Sequence, residues 1–314
     1  NDRRSELQAE TKTIEIDTAS LIVEEETYVS ITRGGYVKRT SPRSFNASTI
    51  DEVGKRDDDD LILVQQAKTT QHLLIFTNQA NVIYRPIHEL PDIRWKDLGE
   101  HLSQTITNLS KDEEVLYAEI LDDFEAGTYL AATKLGQIKR FERKEFTPWR
   151  TYKSKSVKYA KLKDDSDFIV TVTPIQLDDI MIITQRGYAL RFNADEVPVV
   201  GAKAAGVKAI NLKDDDIVQA VFVANTQSFC LLTQRASLKR VATADIPQAK
   251  RAGRGLQVLR ELKTKPHRVF TAGPVFTENS GGEIDLLATP AEVTPQTLLV
   301  TATTGETAEV DLSL

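Results

Sequence analysis

The stretch TKLGQIKRF, Thr133–Phe141, decides the fold, because altered copies of it run along most of the chain. Aligned on the small residue, the copies are TRGGYVKRT at Gly35, TNQANVIYR at Ala80, TKLGQIKRF at Gly136, TQRGYALRF at Gly187 and TQRASLKRV at Ala236. A worn sixth copy, ATTGETAEV, falls at Gly305. The intervals are 45, 56, 51, 49 and 69 residues, too long for the common helical repeats and suited to a propeller blade of four strands.

Two further signals keep step with the first. Acidic clusters marked by Asp58, Asp112, Asp164 and Asp214 each precede an apolar run. An acidic residue, an apolar one and then a proline follow the basic segments, as ELP at Glu89, EFTP at Glu145, EVP at Glu196 and DIP at Asp245. Physically, the Asp-rich cluster is a turn, since aspartate bonds its own backbone there. The run after it is a strand, and a second, very apolar strand such as Phe229–Leu232 follows. T-x-x-G is a hairpin turn in which glycine permits positive φ, and the basic segment is the returning strand. Many short strands with little helical periodicity predict an all-β protein. The expected architecture is a six-bladed, β-propeller-like pinwheel of four-stranded blades over residues 13–314, which leaves no large exposed sheet edge. Residues 1–12 read as the polar tail of a preceding domain or linker, and TKTIEID, Thr11–Asp17, as a strand that closes the ring. Ile138, Ala189 and Leu238 are expected at equivalent strand positions.

Composition sets the class. The chain has 314 residues, 40% hydrophobic and 27% charged, with a formal net charge of −6 and one cysteine, Cys230. A disulfide framework is excluded, which fits a reducing cytoplasm. No apolar run approaches the roughly 20 residues of a membrane span, and the N-terminus does not read as a signal peptide. The acidic total argues against nucleic acid only on average, because a local basic stripe can coexist with it.

Such a stripe is visible. The fourth position after the small residue is Arg39, Arg140, Arg191 and Arg240 in four units, preceded by Lys38, Lys139 and Lys239 in three of them. The second unit has Arg85 one place later, and the sixth has Glu309 instead. One repeated position in a ring makes a circle of positive charge, suited to an extended polyanion with closely spaced phosphates. The alternative is that these residues keep strand edges soluble. Further cations follow the basic strands: Arg143 and Lys144, the run WRTYKSKSVKYAK from Trp149 to Lys161, Lys203 and Lys208 in GAKAAGVK, and Lys250, Arg251 and Arg254 in QAKRAGRG. The glycines of the last two loops either let backbone approach a phosphate or form ordinary surface turns.

ETYVSITRGGYVKRTS, from Glu26, and the recurring T-x-x-G-x-h-K-R-h unit (h apolar) resemble the C-terminal domain of bacterial type IIA topoisomerase A subunits. The resemblance covers the chain from about Ile14 onward. It implies a six-bladed β-pinwheel that binds and bends double-stranded DNA along a basic perimeter. It also implies two partners, the ATPase B subunit together with the remainder of the A subunit. The location it implies is the bacterial cytoplasm, in association with the chromosome. The gyrase branch carries a Q-R-R-G-G-K-G box linked to DNA wrapping. Here only the degenerate QAKRAGRG is found, so the chain is more similar to the topoisomerase IV branch, with gyrase the close alternative.

No catalytic or metal constellation is legible. His72, His88, His101 and His267 are scattered without ligand spacing, and the acidic clusters match no EF-hand loop. The resemblance places the DNA-cleaving tyrosine and the ATP and Mg²⁺ sites on other domains, so the fragment is expected to be a non-catalytic binding module without a cofactor. A propeller scaffold for proteins is the competing class, although WD40 signatures are missing. A carbohydrate-active propeller would need paired carboxylates facing a pocket, and the Asp clusters are assigned to turns.

Overall fold

The computed structural model describes residues 22–110, 112–262, 264–276, 297–301 and 307–311. The N-terminal strand expected to close the ring lies outside the described residues.

The architecture is all-β but for one short helix, Pro42–Asn46, and several 3-10 turns. Each blade is built on a hairpin, its turn reading T-x-x-G in the first, third and fourth and T-x-x-A in the second and fifth. In the first, β1 (Glu26–Thr32) and β2 (Tyr36–Thr40) are flanked by β3 (Leu61–Lys68) and β6 (Glu100–His101) in the order β3-β1-β2-β6. The second is β10-β5-β4-β7, with β4 His72–Thr77, β5 Asn81–Pro86, β7 Val115–Leu121 and β10 Val157–Lys158. The third is β11-β8-β9-β14, with β8 Thr128–Thr133, β9 Gln137–Glu142, β11 Ile169–Pro174 and β14 Val207–Lys208. The fourth is β15-β12-β13-β18, with β12 Asp179–Thr184, β13 Tyr188–Asn193, β15 Val218–Val223 and β18 Leu256–Gln257. The fifth, β17-β16-β19, joins β16 Ser228–Thr233, β17 Leu238–Ala242 and β19 Val269–Val275. The sixth hairpin pairs β20 (Thr297–Thr301) with β21 (Thr307–Asp311).

A blade is therefore not one contiguous repeat, as the sequence unit implied. The strand after each acidic cluster joins the preceding hairpin, as β15 joins β12 rather than β16. A two-residue outer strand from the next repeat's connecting segment completes the blade, as β14 completes the β8–β9 blade and β18 the β12–β13 blade. Among the described residues four blades have four strands, the fifth has three and the sixth two. The inner strands β3, β7, β11, β15 and β19 contact one another in sequence, so the first five blades stack in chain order.

The register expectation is met. Ile138 pairs with Ala132, Ala189 with Ile183 and Leu238 with Leu232, one equivalent position in three hairpins. The hairpin strands read as near-continuous apolar runs because both faces are covered. In β4, Leu73 and Ile75 enter the layer shared with the first blade, while Leu74 and Phe76 enter the layer shared with the third. Such two-sided burial removes the polar alternation of a half-exposed sheet.

The recurring threonine and small residue have one job each. Thr32, Thr77, Thr133, Thr184 and Thr233 accept, through Oγ1, the N–H four residues on, at 3.1 to 3.2 Å. The small residue takes positive φ: 88° at Gly35, 81° at Gly136 and 82° at Gly187, but 59° at Ala80 and 54° at Ala236. An L-residue there costs about 1–2 kcal/mol, and glycine's extra unfolded-state freedom offsets part of the relief. Exposed Ala236→Gly should therefore gain about 0.5 kcal/mol. Ala80→Gly, which removes a buried methyl, should gain nothing. Urea midpoints for the two variants check both.

The acidic clusters pin these turns from the following repeat. Asp59 Oδ1 accepts from Gly34 N at 2.8 Å, Asp167 Oδ1 from Leu135 N at 2.9 Å and Asp216 Oδ1 from Arg186 N at 3.0 Å. The Asp runs thus serve as turn caps, as their recurrence implied.

Candidate nucleic-acid interface

The hairpin cations divide into two kinds. Lys38 and Lys139 are each only 1% exposed. Lys139 Nζ donates to the carbonyls of Tyr159 and Gly201, both at 2.8 Å, and of Ala204 at 3.3 Å. Lys38 Nζ donates to Arg94 at 3.1 Å, Trp95 at 2.6 Å and Asp97. Burial pulls both ammonium groups down to about 8, so at neutral pH each keeps its charge and three protons. With every donor on a carbonyl, neither has anything left for a phosphate. The phosphate-contact role read from sequence is corrected for these two residues. Lys239 sits at the same register position and donates to Val258 O at 2.6 Å, yet is itself exposed.

The arginines one place later explain the proline-containing signal. Arg39 Nε donates to Leu90 O at 3.0 Å and Arg140 Nε to Val197 O at 2.7 Å, the apolar positions of ELP and EVP in the next repeat. Arg191 pairs with Asp179 at 2.8 Å and reaches Ile246 O of DIP at 3.5 Å. All three are partly exposed inter-repeat clamps, and Arg240, bonded to Ser228 Oγ at 2.9 Å, is exposed. Glu309 faces Leu299 at the register position where Arg240 faces Cys230.

Exposed cations also lie on the outer connections. Each outer strand is preceded by a β-turn closed by an i+3 N–H to i carbonyl bond: Asp97 to Arg94 (3.1 Å), Ser154 to Thr151 (3.0 Å), Ala204 to Gly201 (3.0 Å) and Gly253 to Lys250 (3.3 Å). The third position of the turn is Lys96, Lys153, Lys203 and Ala252, and the last turn compensates with Lys250 and Arg251. Lys96, Lys153, Lys203 and Lys250 are all exposed. Lys96 and Lys153 pair with Glu52 at 2.6 Å and Glu89 at 2.8 Å, exposed contacts of small net worth. Among the described residues neither Lys203 nor Lys250 has an ion-pair partner. Each of the first four blades thus carries an exposed lysine on the turn before its outer strand, at the third turn position in three of them and at the first in the fourth.

Lys96 was missed from sequence, and Lys153 was noted only within a basic run, because nothing local distinguishes these turns. The signal that finds them is their fixed offset before the two-residue outer strand. The glycines of the later loops serve the fold: a Cβ on Gly206 would lie 2.3 Å from Ile138 O, and one on Gly255 2.4 Å from Ala189 O. They let the outer strand close on the preceding hairpin.

The remaining nominees are mixed. Arg143 is held by Glu119 at 2.8 Å and Tyr129 OH at 3.2 Å. Arg85, 7% exposed, donates to Tyr152 O at 2.8 Å and to Thr105 Oγ1 at 2.6 Å. Arg85 is buried with both terminal nitrogens on acceptors of the fold, so the contact role read for it is corrected, whereas Arg143, partly exposed, is committed to the fold through Nε and Nη2. Arg251 Nε donates to Glu196 O at 3.0 Å, and Arg254 lies 4.1 Å over the Tyr188 ring, still partly exposed. Lys144 and Lys208 are exposed, held by Glu142 and Asn211. No group of three His, Cys, Asp or Glu among the described residues can hold a metal ion. No helix among them is long and apolar enough to cross a membrane.

The blades coincide with a known family. The family model for the DNA gyrase C-terminal domain, beta-propeller, matches residues 26–49, 71–122, 128–176, 178–225 and 227–275, one segment for each of the first five hairpins. The chain belongs to this family. Within the DNA gyrase C-terminal domain family it is 68% identical over 304 residues to the A subunit of DNA topoisomerase 4 from Streptococcus pneumoniae, covering 96% of this chain and 37% of that protein. It is 40% identical over 269 residues to the corresponding Bacillus subtilis protein, covering 85% of this chain and 33% of that protein. The chain thus spans little more than a third of the curated relatives it matches. The crystal structure of a topoisomerase IV C-terminal domain superposes with a TM-score of 0.81 at 34% identity, covering 93% of this chain and 85% of that one. A DNA gyrase A C-terminal domain shares the fold at a TM-score of 0.56 and 23% identity, covering 80% and 83%.

Proposed function

We propose that this chain is the DNA-binding and DNA-bending domain of a topoisomerase IV A subunit. It engages duplex DNA along the four outer turns and presents a segment for strand passage by the rest of the enzyme. The carrying observation is the row of exposed turn cations, Lys96, Lys153, Lys203 and Lys250, on consecutive blades. Phosphate contacts of this kind position DNA without reading its sequence. The domain contributes no catalytic group or cofactor. Cleavage belongs to the remainder of the A subunit, ATP hydrolysis to the B subunit, and the whole works in the bacterial cytoplasm. A topology-sensing role follows from the row's end. The turn lysines lie on the first four blades, and the hairpin position that is arginine in four units is Glu309 in the sixth, so DNA leaves the rim before that hairpin rather than completing a wrap. The gyrase reading is weaker because Arg251, in the one box-like loop, donates to Glu196 and Lys208 carbonyls.

A salt series on the 314-residue chain tests the reading. Duplex binding should weaken with a log–log slope of about −0.9 per phosphate contacted, giving about −4 for four turns, and EDTA should not alter it. Fluorescence transfer between duplex ends should report bending without trapped positive supercoils. A slope near zero with tight binding to a protein partner would replace this reading with the scaffold one.

A further inference from the structure

Resting on the DNA reading, we propose that Lys38 and Lys139, which cannot touch a ligand, are positioning residues for the duplex. Each fixes one outer turn from beneath, and so sets where Lys96 and Lys203 meet the phosphate backbone.

The two sites are built alike. Lys139 Nζ holds the carbonyls of Gly201 and Ala204, the first and last residues of the turn carrying Lys203. Lys38 Nζ holds those of Arg94 and Asp97, the first and last residues of the turn carrying Lys96. One buried cation thus closes each turn across its mouth, leaving the third-position lysine on the opposite, solvent side. The outer strand after the turn is only two residues long, Val207–Lys208 in the third blade and Glu100–His101 in the first. In the third blade the turn is also held by Val200 N–H to Arg140 O and by Ala202 N–H to Glu145 Oε2, both at 2.9 Å, but the Lys139 ammonium bonds its first and last carbonyls together.

Where the hairpin offers no lysine, another anchor replaces it. The second blade has Ile83 at this position, and Arg85 donates to Tyr152 O and Lys153 O of its turn. The fourth has Leu190, and its turn carries Arg251, bonded to Glu196 and Lys208 carbonyls. Four blades, three chemistries and one outcome indicate that the turn's placement is what the anchors serve.

A double-mutant cycle decides it. In the parent chain, Lys203→Ala should weaken duplex binding about 8-fold at 0.1 M salt, one contact's worth, and reduce the salt slope by about one. In a Lys139→Met background the same change should cost less than 2-fold, because an unanchored Lys203 no longer meets its phosphate. Lys139→Met alone should reduce the slope about as much as Lys203→Ala. An undiminished 8-fold cost of Lys203→Ala in the Lys139→Met background would overturn the proposal and leave Lys139 a residue of the fold alone. No effect of Lys203→Ala in the parent chain would instead count against the DNA reading of the rim. If Lys139→Met does not fold, Lys139→Gln, which keeps two donors, should give intermediate coupling, and full independence from Lys203 there has the same overturning force.

Discussion

Alanine at Lys96, Lys153, Lys203 and Lys250 together will lower duplex affinity about 10³-fold at 0.1 M salt and flatten the salt slope by about three to four. Each lysine that meets a phosphate releases close to one counterion, worth about 0.9 log unit at that salt. Four full contacts would give somewhat more than 10³. Two of the lysines, however, sit beside Glu52 and Glu89, which already neutralise part of their field. All four side chains are exposed, so their removal leaves no buried group unpaired and the fold should be unchanged. Titrations at 50, 100 and 200 mM salt provide the measurement. A folded quadruple variant with an unchanged slope would place the DNA elsewhere on the molecule.

Arg143→Leu will do the opposite, destabilising the fold by about 3 kcal/mol while leaving the salt slope where it was. The guanidinium lies between Glu119 at 2.8 Å and Tyr129 OH at 3.2 Å, with the two charged side chains 19% and 21% exposed. It also stacks 5.7 Å from the Tyr129 ring centroid. Removing one partner of a mostly buried pair leaves the other charge uncompensated, a loss of about 3–5 kcal/mol when burial is complete and at the low end of that range for this pair. In a domain of this size that is a fall of roughly 6–12 °C in melting temperature. Thermal melts and the same salt titration together make the check. A reduced slope with an unchanged melt would return Arg143 to the DNA contacts.

How much was legible without a structure varies from residue to residue. The T-x-x-G turns, the all-β class, the hairpin register and the turn role of the aspartates could be read directly. Each depends on residues within a few places of one another. Thr133 bonds the N–H of Gln137, and Gly136 needs positive φ for the same turn. A repeated local pattern therefore announces a repeated local structure. The blade composition could not be read, because β14 reaches β9 from the next repeat and two residues carry no periodicity of their own.

The division is clearest in two lysines. Lys139 and Lys203 look alike as letters, and the repeat favoured Lys139 as the contact. By itself the sequence determined that a basic residue recurs at one place in the hairpin, and that its neighbours alternate about the strand. Only the tertiary structure decided which charge meets solvent. Lys139 is buried by carbonyls 62 and 65 residues further along the chain, and Lys38 by carbonyls 56 to 59 residues away. Solvation of a charge depends on everything packed around it in space, whereas turn and strand preferences are settled between near neighbours along the chain.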